Sequence, residues 1–347
     1  MVLYKILLKE KSLIIILTVA FAASVFLGLT RFESATKSTI PKNPPAMLLA
    51  IKQRFEDSLA ASLPEPHASL MAGIILGSKG NIPKNILQDF QTAGISHILA
   101  LSGFNLTVLG VALMALLSIF VISPKQRFFL TMTVIVLFIL MVGGQASLIR
   151  AGIMAALVNL STVVGRIPKP LNMLVLAAGV MLFLDPTLLA FNLGFELTFL
   201  ATMGIFFVAP IIEKYFARFM PPLWGLREAV AATLGAIIMT EPLILHIFGR
   251  FSVVALLTNM AVTPLVPLAM LLGFITGFAG IVLPVLGQLL GAIAWLVLSY
   301  IINVTEWFAS LPFASLNVPK LSLPIMLISY ALLGFLYLLL KRRARAL

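Results

Sequence analysis

Eight residues stand out against an otherwise apolar chain: His97, Ser102, Gly103, Asn105, Arg150, Glu196, Glu241 and Asn259. The run GISHILALSGFNLTV, from Gly94 to Val108, sets a histidine, two serines, a glycine and an asparagine at the mouth of an apolar segment that continues to about Ile122. In hydrocarbon each unsatisfied polar group costs several kcal/mol, so such groups either face other helices or line something wet. An ionisable side chain at mid-helix costs roughly 2.5–3.5 kcal/mol on insertion scales. That makes Arg150 in SLIRAG, Glu196 in NLGFELTF and Glu241 directly before Pro242 candidates for a solute or proton path. On an unbroken helix of 3.6 residues per turn, His97 and Asn105 differ by about 80° in direction and share one face. His97 and Ser102 diverge by about 140°, so a serine–histidine hydrolytic pair needs a helix break at Gly103, and the chain is expected not to be an enzyme.

Each residue also has a structural role open to it. Arg150 can snorkel to the headgroups, and Glu196 and Glu241 can pair with Arg150 or Arg250 as glue. His97 can close a helix end through a hydrogen bond, and the Ser102–Gly103 pair can mark close helix packing. Phe104, Phe195 and Phe199 could stack on nucleobases, but phenylalanines in a bundle read first as core.

Composition decides the class. The chain has 347 residues, of which 61% are hydrophobic and 10% charged, with a mean hydropathy of +1.11. A soluble domain carries about 25% charged residues, so this is a polytopic membrane protein, all-α, with about ten transmembrane helices. There is no cysteine, and the three histidines, His67, His97 and His246, are too far apart for a metal-ligand pair. No cofactor or metal is expected. The net charge of +12 is read first as cytoplasmic loops rather than as a nucleic-acid surface.

The elements that must position the polar residues follow from apolar length and from breaks at Gly, Pro and charge. Residues 1–30 hold an anchor span at Leu13–Leu29, read as retained rather than as a signal peptide. Residues 31–94 form an outer region: a proline-bearing linker to Ala46, an amphipathic helix from Met47 to Leu63 lying on the membrane surface or capping the bundle, a short apolar segment Ala68–Leu76 and a second amphipathic helix Pro83–Ala93. An apolar segment that short, followed by a turn, suits a re-entrant or interfacial element. Residues 95–340 form the bundle, with spans near Ile95–Ile122, Phe128–Val142, Ser147–Val164, Leu171–Leu184, Asn192–Pro210, Ala229–Phe248, Phe251–Leu283, Leu286–Leu311 and Leu323–Leu340. The stretch Phe251–Leu283 is too long for one straight span and holds Pro264 and Pro267, which predicts a re-entrant half-helix up to Thr263 before a full crossing. Residues 341–347 are a basic tail. Most basic residues fall on one side when the N-terminus is inside, so both termini are expected to be cytoplasmic.

Several ordered blocks then carry a resemblance. AGIILGSKGNIPKNILQDFQTAGISHILALSGFN at 72–105 is similar to the leucine-glycine turn, amphipathic helix and SHLLALSGLH signature of the ComEC family of competence proteins. SLIRAGIMA at 147–155, DPTLLAFNLGFELTFLATMG at 185–204 and HIFGRFSVVALLTNMAVTPLV at 246–266 resemble later blocks of that family in the same order. Asn105 stands where the family signature usually ends in histidine, Ser78 where an acid is frequent and Glu196 where glutamine is frequent.

The resemblance implies an inner-membrane channel that passes single-stranded DNA during natural transformation. It also implies a channel-only member without the OB-like and metallo-β-lactamase-like domains, so that a separate DNA receptor, nuclease or cytoplasmic ATPase would be its partners beside the lipid bilayer. A phosphate strand crossing a low-dielectric slab needs cations or a broad aqueous path, and the sequence offers Arg150 and Arg250 near the outer side, with Arg166 and Lys169 at the inner mouth. The eight residues named first are then expected to gather around one polar cavity. The rival reading is a proton-coupled secondary transporter of a small or lipid-like solute on the same scaffold, with His97, Glu196 and Glu241 as coupling groups. Oligomeric state is left open.

Overall fold

The computed structural model describes residues 44–101, 103–163, 170–185, 188, 192–216 and 225–346. The anchor span Leu13–Leu29, Ser102, Arg166 and Lys169 lie outside the described residues. The described residues divide into two compact units, one holding 44–53 with those of 102–196 and the other those of 54–101 and 197–346.

In the first unit α4 (Gly103–Ser118), α5 (Pro124–Met141), α6 (Ala146–Val163) and α7 (Pro170–Leu184) pack in sequence, and α4 also meets α6. The start of α5 is a full capping box, in which Ser123 accepts from the Gln126 N–H, the Gln126 side chain accepts from the Ser123 N–H, and Pro124 follows the cap. The core of this unit includes Leu106, Leu109, Ile135, Phe138, Leu148, Leu174 and Met181.

The second unit begins with α1 (Ala46–Ser62, from Arg54), α2 (His67–Leu76) and α3 (Lys84–Thr92). The helix α8 (Leu193–Met203), which enters this unit at Leu197, passes through a π-turn, Gly204–Val208, into α9 (Ala209–Phe216). Then come α10 (Leu226–Phe248), strand β1 (Arg250–Ser252), α11 (Ala255–Val262), α12 (Val266–Val282), α13 (Pro284–Ser310), strand β2 (Ser315–Asn317) and α14 (Leu323–Ala346). At the π-turn Gly204 meets Gly235 of α10 backbone to backbone; a Cβ on Gly235 would lie 2.6 Å from the Gly204 carbonyl oxygen. Only glycine permits so close an approach of two helices.

Among the described residues five helical stretches are long and apolar enough to cross a membrane: Leu193–Tyr215, Arg227–Phe248, Ala255–Val282, Pro284–Ser310 and Leu323–Leu340. Four shorter apolar helices accompany them: His67–Leu76, Asn105–Ser118, Ser147–Val158 and Asn172–Leu184. The class is therefore an α-helical membrane protein; the five long and four shorter apolar helices are counted among the described residues, and the expected count of about ten spans is not confirmed by them. The expected span Ile95–Ile122 is split by its own polar residues into a 3-10 turn, Ser96–Leu99, and the later α4. The expected break at Thr263 is a 3-10 segment, Thr263–Leu265, inside the helical stretch Ala255–Val282, where Pro264 interrupts the α-helical hydrogen bonding.

Two further differences concern the outer elements. Of the two places expected for helix α1, on the membrane surface or against the bundle, the packing favours the second, since it lies lengthwise on the α12–α13 hairpin. Phe55 fills the space beside Gly277, Ser58 lies on Gly280 and Ser62 on Gly287, where a Cβ would come within 2.6 Å of the Ser62 hydroxyl. The Ser58 hydroxyl donates to the Gly277 carbonyl at 2.8 Å. Met71 and Ile75 of α2 occupy the space beside Gly273 in the same way. The second difference is a two-stranded antiparallel ribbon, with Arg250 opposite Asn317 and Ser252 opposite Ser315. Three-residue strands are too short to show the alternation by which a strand is read from sequence.

Candidate functional site

The signature stretch is held by contacts distant in sequence. After α3 the chain turns at Gly94, whose φ of +75° is left-handed and whose added Cβ would lie 2.5 Å from the Ala255 Cβ and 2.9 Å from the Ser252 hydroxyl. That hydroxyl donates to the Thr92 carbonyl at 2.8 Å, so β1 and the start of α11 clamp the turn. Ile95, Ile98, Leu99 and Leu101 are buried, and the short 3-10 turn they anchor leaves Ser96 and His97 exposed. On the neighbouring helix α3, burial raises the Asp89 carboxyl above the usual carboxylate range, and the charge of Glu306 on α13 adds to the shift.

In the first unit α4 starts at Gly103 against α6. A Cβ there would lie 3.2 Å from the Ala151 Cβ and 3.4 Å from the Arg150 guanidinium. The cation of Arg150 therefore sits beside the first turn of α4, the positive end of that helix's dipole. Both features favour an anion at that place. Asn105 is buried in the same turn, 3% exposed. Glu196 is half-buried in the first turn of α8, where the Asn192 side chain caps the helix by accepting from the Phe195 N–H at 2.9 Å. Phe195 is core.

Glu241 lies in α10, half-buried, and its Oε1 is buried without a hydrogen-bond partner among the described residues. Pro242 beside it lacks an N–H, leaving the Ile238 carbonyl without its usual helical donor. Nearby, Thr240 donates to the Ala236 carbonyl at 2.9 Å and Tyr330 of α14 to the Met239 carbonyl at 3.2 Å. Asn259 is buried and spends its amide locally: Nδ2 donates to the Ala255 carbonyl at 2.7 Å, and Oδ1 accepts from Thr263 at 3.2 Å, across the junction of α11 with the 3-10 segment. Arg250 donates to Asn317 across the ribbon at 3.4 Å.

Of the eight residues singled out in sequence, the structure thus brings Gly103 and Arg150 into contact. Gly103, Asn105, Arg150 and Glu196 belong to the first unit, and His97, Glu241 and Asn259 to the second. No group of three or more His, Asp or Glu that could hold a metal ion occurs among the described residues. Sequence reasoning missed the exposed Arg54 and Asp57 of α1, which the packing of that helix brings alongside a candidate span. They alternate along α1 with the buried Phe55, Ser58 and Leu59, and the glycine row that receives those buried residues lies on the partner helices rather than in α1.

A sequence model of the competence protein family matches residues 74–343. The chain belongs to the ComEC family of competence proteins. It is 21% identical over 237 residues to ComE operon protein 3 of Bacillus subtilis (strain 168), covering 68% of this chain and 30% of that relative. The chain therefore spans under a third of the length of the curated relative it matches. No solved structure matches it. The matched region of this competence protein runs from the last turn of α2, through the Gly94 turn, into the last turn of α14.

Proposed function

We propose that this competence protein provides a polar path for single-stranded DNA through the inner membrane, with both termini cytoplasmic. The observation that carries this reading is the placement of α1. Its packed face, Phe55, Ser58 and Leu59, is buried, and the helix lies along Gly277, Gly280 and Gly287 of two candidate spans. The exposed Arg54 and Asp57 are thereby held beside a membrane-spanning hairpin. Within a membrane a charged side chain is tolerated where it faces a water-filled cavity. The family match supports DNA as the solute, and within the first unit the Arg150 cation beside the N-terminus of α4 suits a phosphate.

The test is passage of labelled single-stranded DNA into proteoliposomes holding the purified chain. Unsubstituted protein is expected to admit DNA, and Arg54→Glu and Arg150→Ala are expected to lower the rate at least tenfold. Passage that both variants leave unchanged would sink the reading. A second reading rests on Glu241, whose buried, unpartnered oxygen suits a proton-coupling carboxyl in a transporter of a small solute. Absence of DNA passage, together with a pH-driven solute flux that Glu241→Gln abolishes, would establish that reading instead.

A further inference from the structure

The β1–β2 ribbon lies across the ends of four helices. At one end of it the Val318 N–H donates to the Gly249 carbonyl at 2.9 Å and the Leu321 N–H to the Leu245 carbonyl at 3.3 Å, which ties the end of α10 to the start of α14. At the other end the Val253 N–H donates to the Ala314 carbonyl at 2.9 Å, which ties the start of α11 to the chain leaving α13. Each of these helices belongs to a candidate span, and each span stops at the ribbon. A membrane-crossing helix stops where hydrocarbon gives way to headgroups, so the ribbon lies in that plane. Two features of the ribbon have no reason in bulk water. Phe313, in the turn before β2, holds φ at +66°, a left-handed conformation that residues with a Cβ rarely adopt, and its ring is 78% exposed. Packing against protein therefore repays neither the backbone nor the bare ring. Trp307 in the last turn of α13 and Phe248 at the end of α10 are exposed close to the same level. The second feature is a pair of cations. The stem of Lys320 lies over Gly249, where a Cβ would come 3.1 Å from its Cγ, and Arg250 follows, steadied across the ribbon by the neutral Asn317.

We propose that the β1–β2 ribbon is an interfacial anchor for anionic phospholipid, in which the Phe313 ring inserts at the level of the glycerol esters and Arg250 and Lys320 hold the phosphates of the surrounding headgroups. Exposed aromatic rings beside basic side chains, at the level where spans end, match the apolar and anionic layers of that interface in order. Neither a neutral lipid nor water alone accounts for both parts. The anchor has a structural return. Ser252 of the same ribbon donates to the Thr92 carbonyl and closes on the Gly94 turn, so a ribbon fixed in the headgroup layer fixes the height of the signature stretch relative to the membrane surface.

The test uses the full chain in vesicles of phosphatidylcholine and phosphatidylglycerol. The chain contains no cysteine, so Phe313→Cys carries a single fluorescent dye. Phospholipid spin-labelled near the glycerol is expected to quench that dye at least twofold more than phospholipid spin-labelled at the end of the acyl chain. No quenching by either lipid, as for a ring turned to water or into a protein-lined vestibule, overturns the proposal, and so does stronger quenching by the deep label. The shallow label is then carried, at equal mole fraction, on phosphatidylglycerol or on phosphatidylcholine. Phosphatidylglycerol is expected to quench at least twofold more, and Arg250→Gln with Lys320→Gln is expected to abolish the excess. A second measurement is independent of folding in that variant: with both cations in place, raising the salt to about 1 M, where the screening length falls to about 3 Å, is expected to abolish the excess too. Equal quenching by the two lipids at low salt, or an excess that survives the substitutions or the salt, overturns the anionic anchor.

Discussion

Gly94 is constrained twice, by a left-handed backbone and by the Ala255 Cβ and Ser252 hydroxyl that occupy the space of a side chain. A non-glycine residue in that conformation costs roughly 1–2 kcal/mol before any steric conflict is counted. Gly94→Ala is therefore expected to lower unfolding stability in detergent by more than about 2 kcal/mol. Gly80→Ala, with open space around it, should stay within about 0.5 kcal/mol. At Asn259 the two local hydrogen bonds bury a full amide, so Asn259→Leu leaves the Thr263 hydroxyl without its acceptor and should cost about 1–3 kcal/mol by the same unfolding measurement. The types and positions of these residues were legible in the sequence, as was the oddity of Glu241 before a proline. Their partners were not: Ser252 and Thr92 are 160 residues apart, and no local pattern announces that pairing.

At the scale of elements, the α1–α2 pair packed on α12 and α13 offers the clearest tests. The chain contains no cysteine, so a pair can be introduced without background. Ser58→Cys with Gly280→Cys is expected to form a disulfide under mild oxidant, seen as a mobility shift absent from either single variant; failure to cross-link would place α1 elsewhere. The α1–α2 pair should also respond to acid. Burial holds the His67 imidazole below its ordinary value of 6.5, while its Nε2 shares a hydrogen bond with the Ser299 hydroxyl at 2.9 Å. Between the lowered folded value and the ordinary unfolded one, the native state binds fewer protons than the unfolded chain. The stability from the neutral ring is then full above about pH 6.5 and lost as pH falls through the folded value. Unfolding curves between pH 7.5 and 5 should show the loss, and His67→Gln should flatten it. Helix boundaries in the bundle were readable because apolar length and Gly–Pro breaks are local. The docking of α1 was not, because a helix with a charged face and a buried face looks alike whether the buried face rests on a membrane surface or on the glycine row of two other helices.

For the molecule as a whole, composition alone gave the solvent: a chain of mean hydropathy +1.11 belongs in a bilayer. Which surfaces meet lipid and which meet water is the finer question, and it can be mapped directly. Arg54→Cys is expected to react with a membrane-impermeant maleimide in proteoliposomes, whereas Leu289→Cys, on the outward flank of α13, should remain unlabelled; the reverse pattern would remove the polar path. The Ser252–Thr92 clasp has a last consequence, for biosynthesis. The Gly94 turn leaves the ribosome long before the strand that secures it exists. With 160 residues between the two, at roughly 5–20 residues per second, the turn waits about ten to thirty seconds without its latch. In that interval the nascent signature region presents unprotected backbone to the insertion machinery and to membrane proteases, and its survival depends on the later half of the chain arriving.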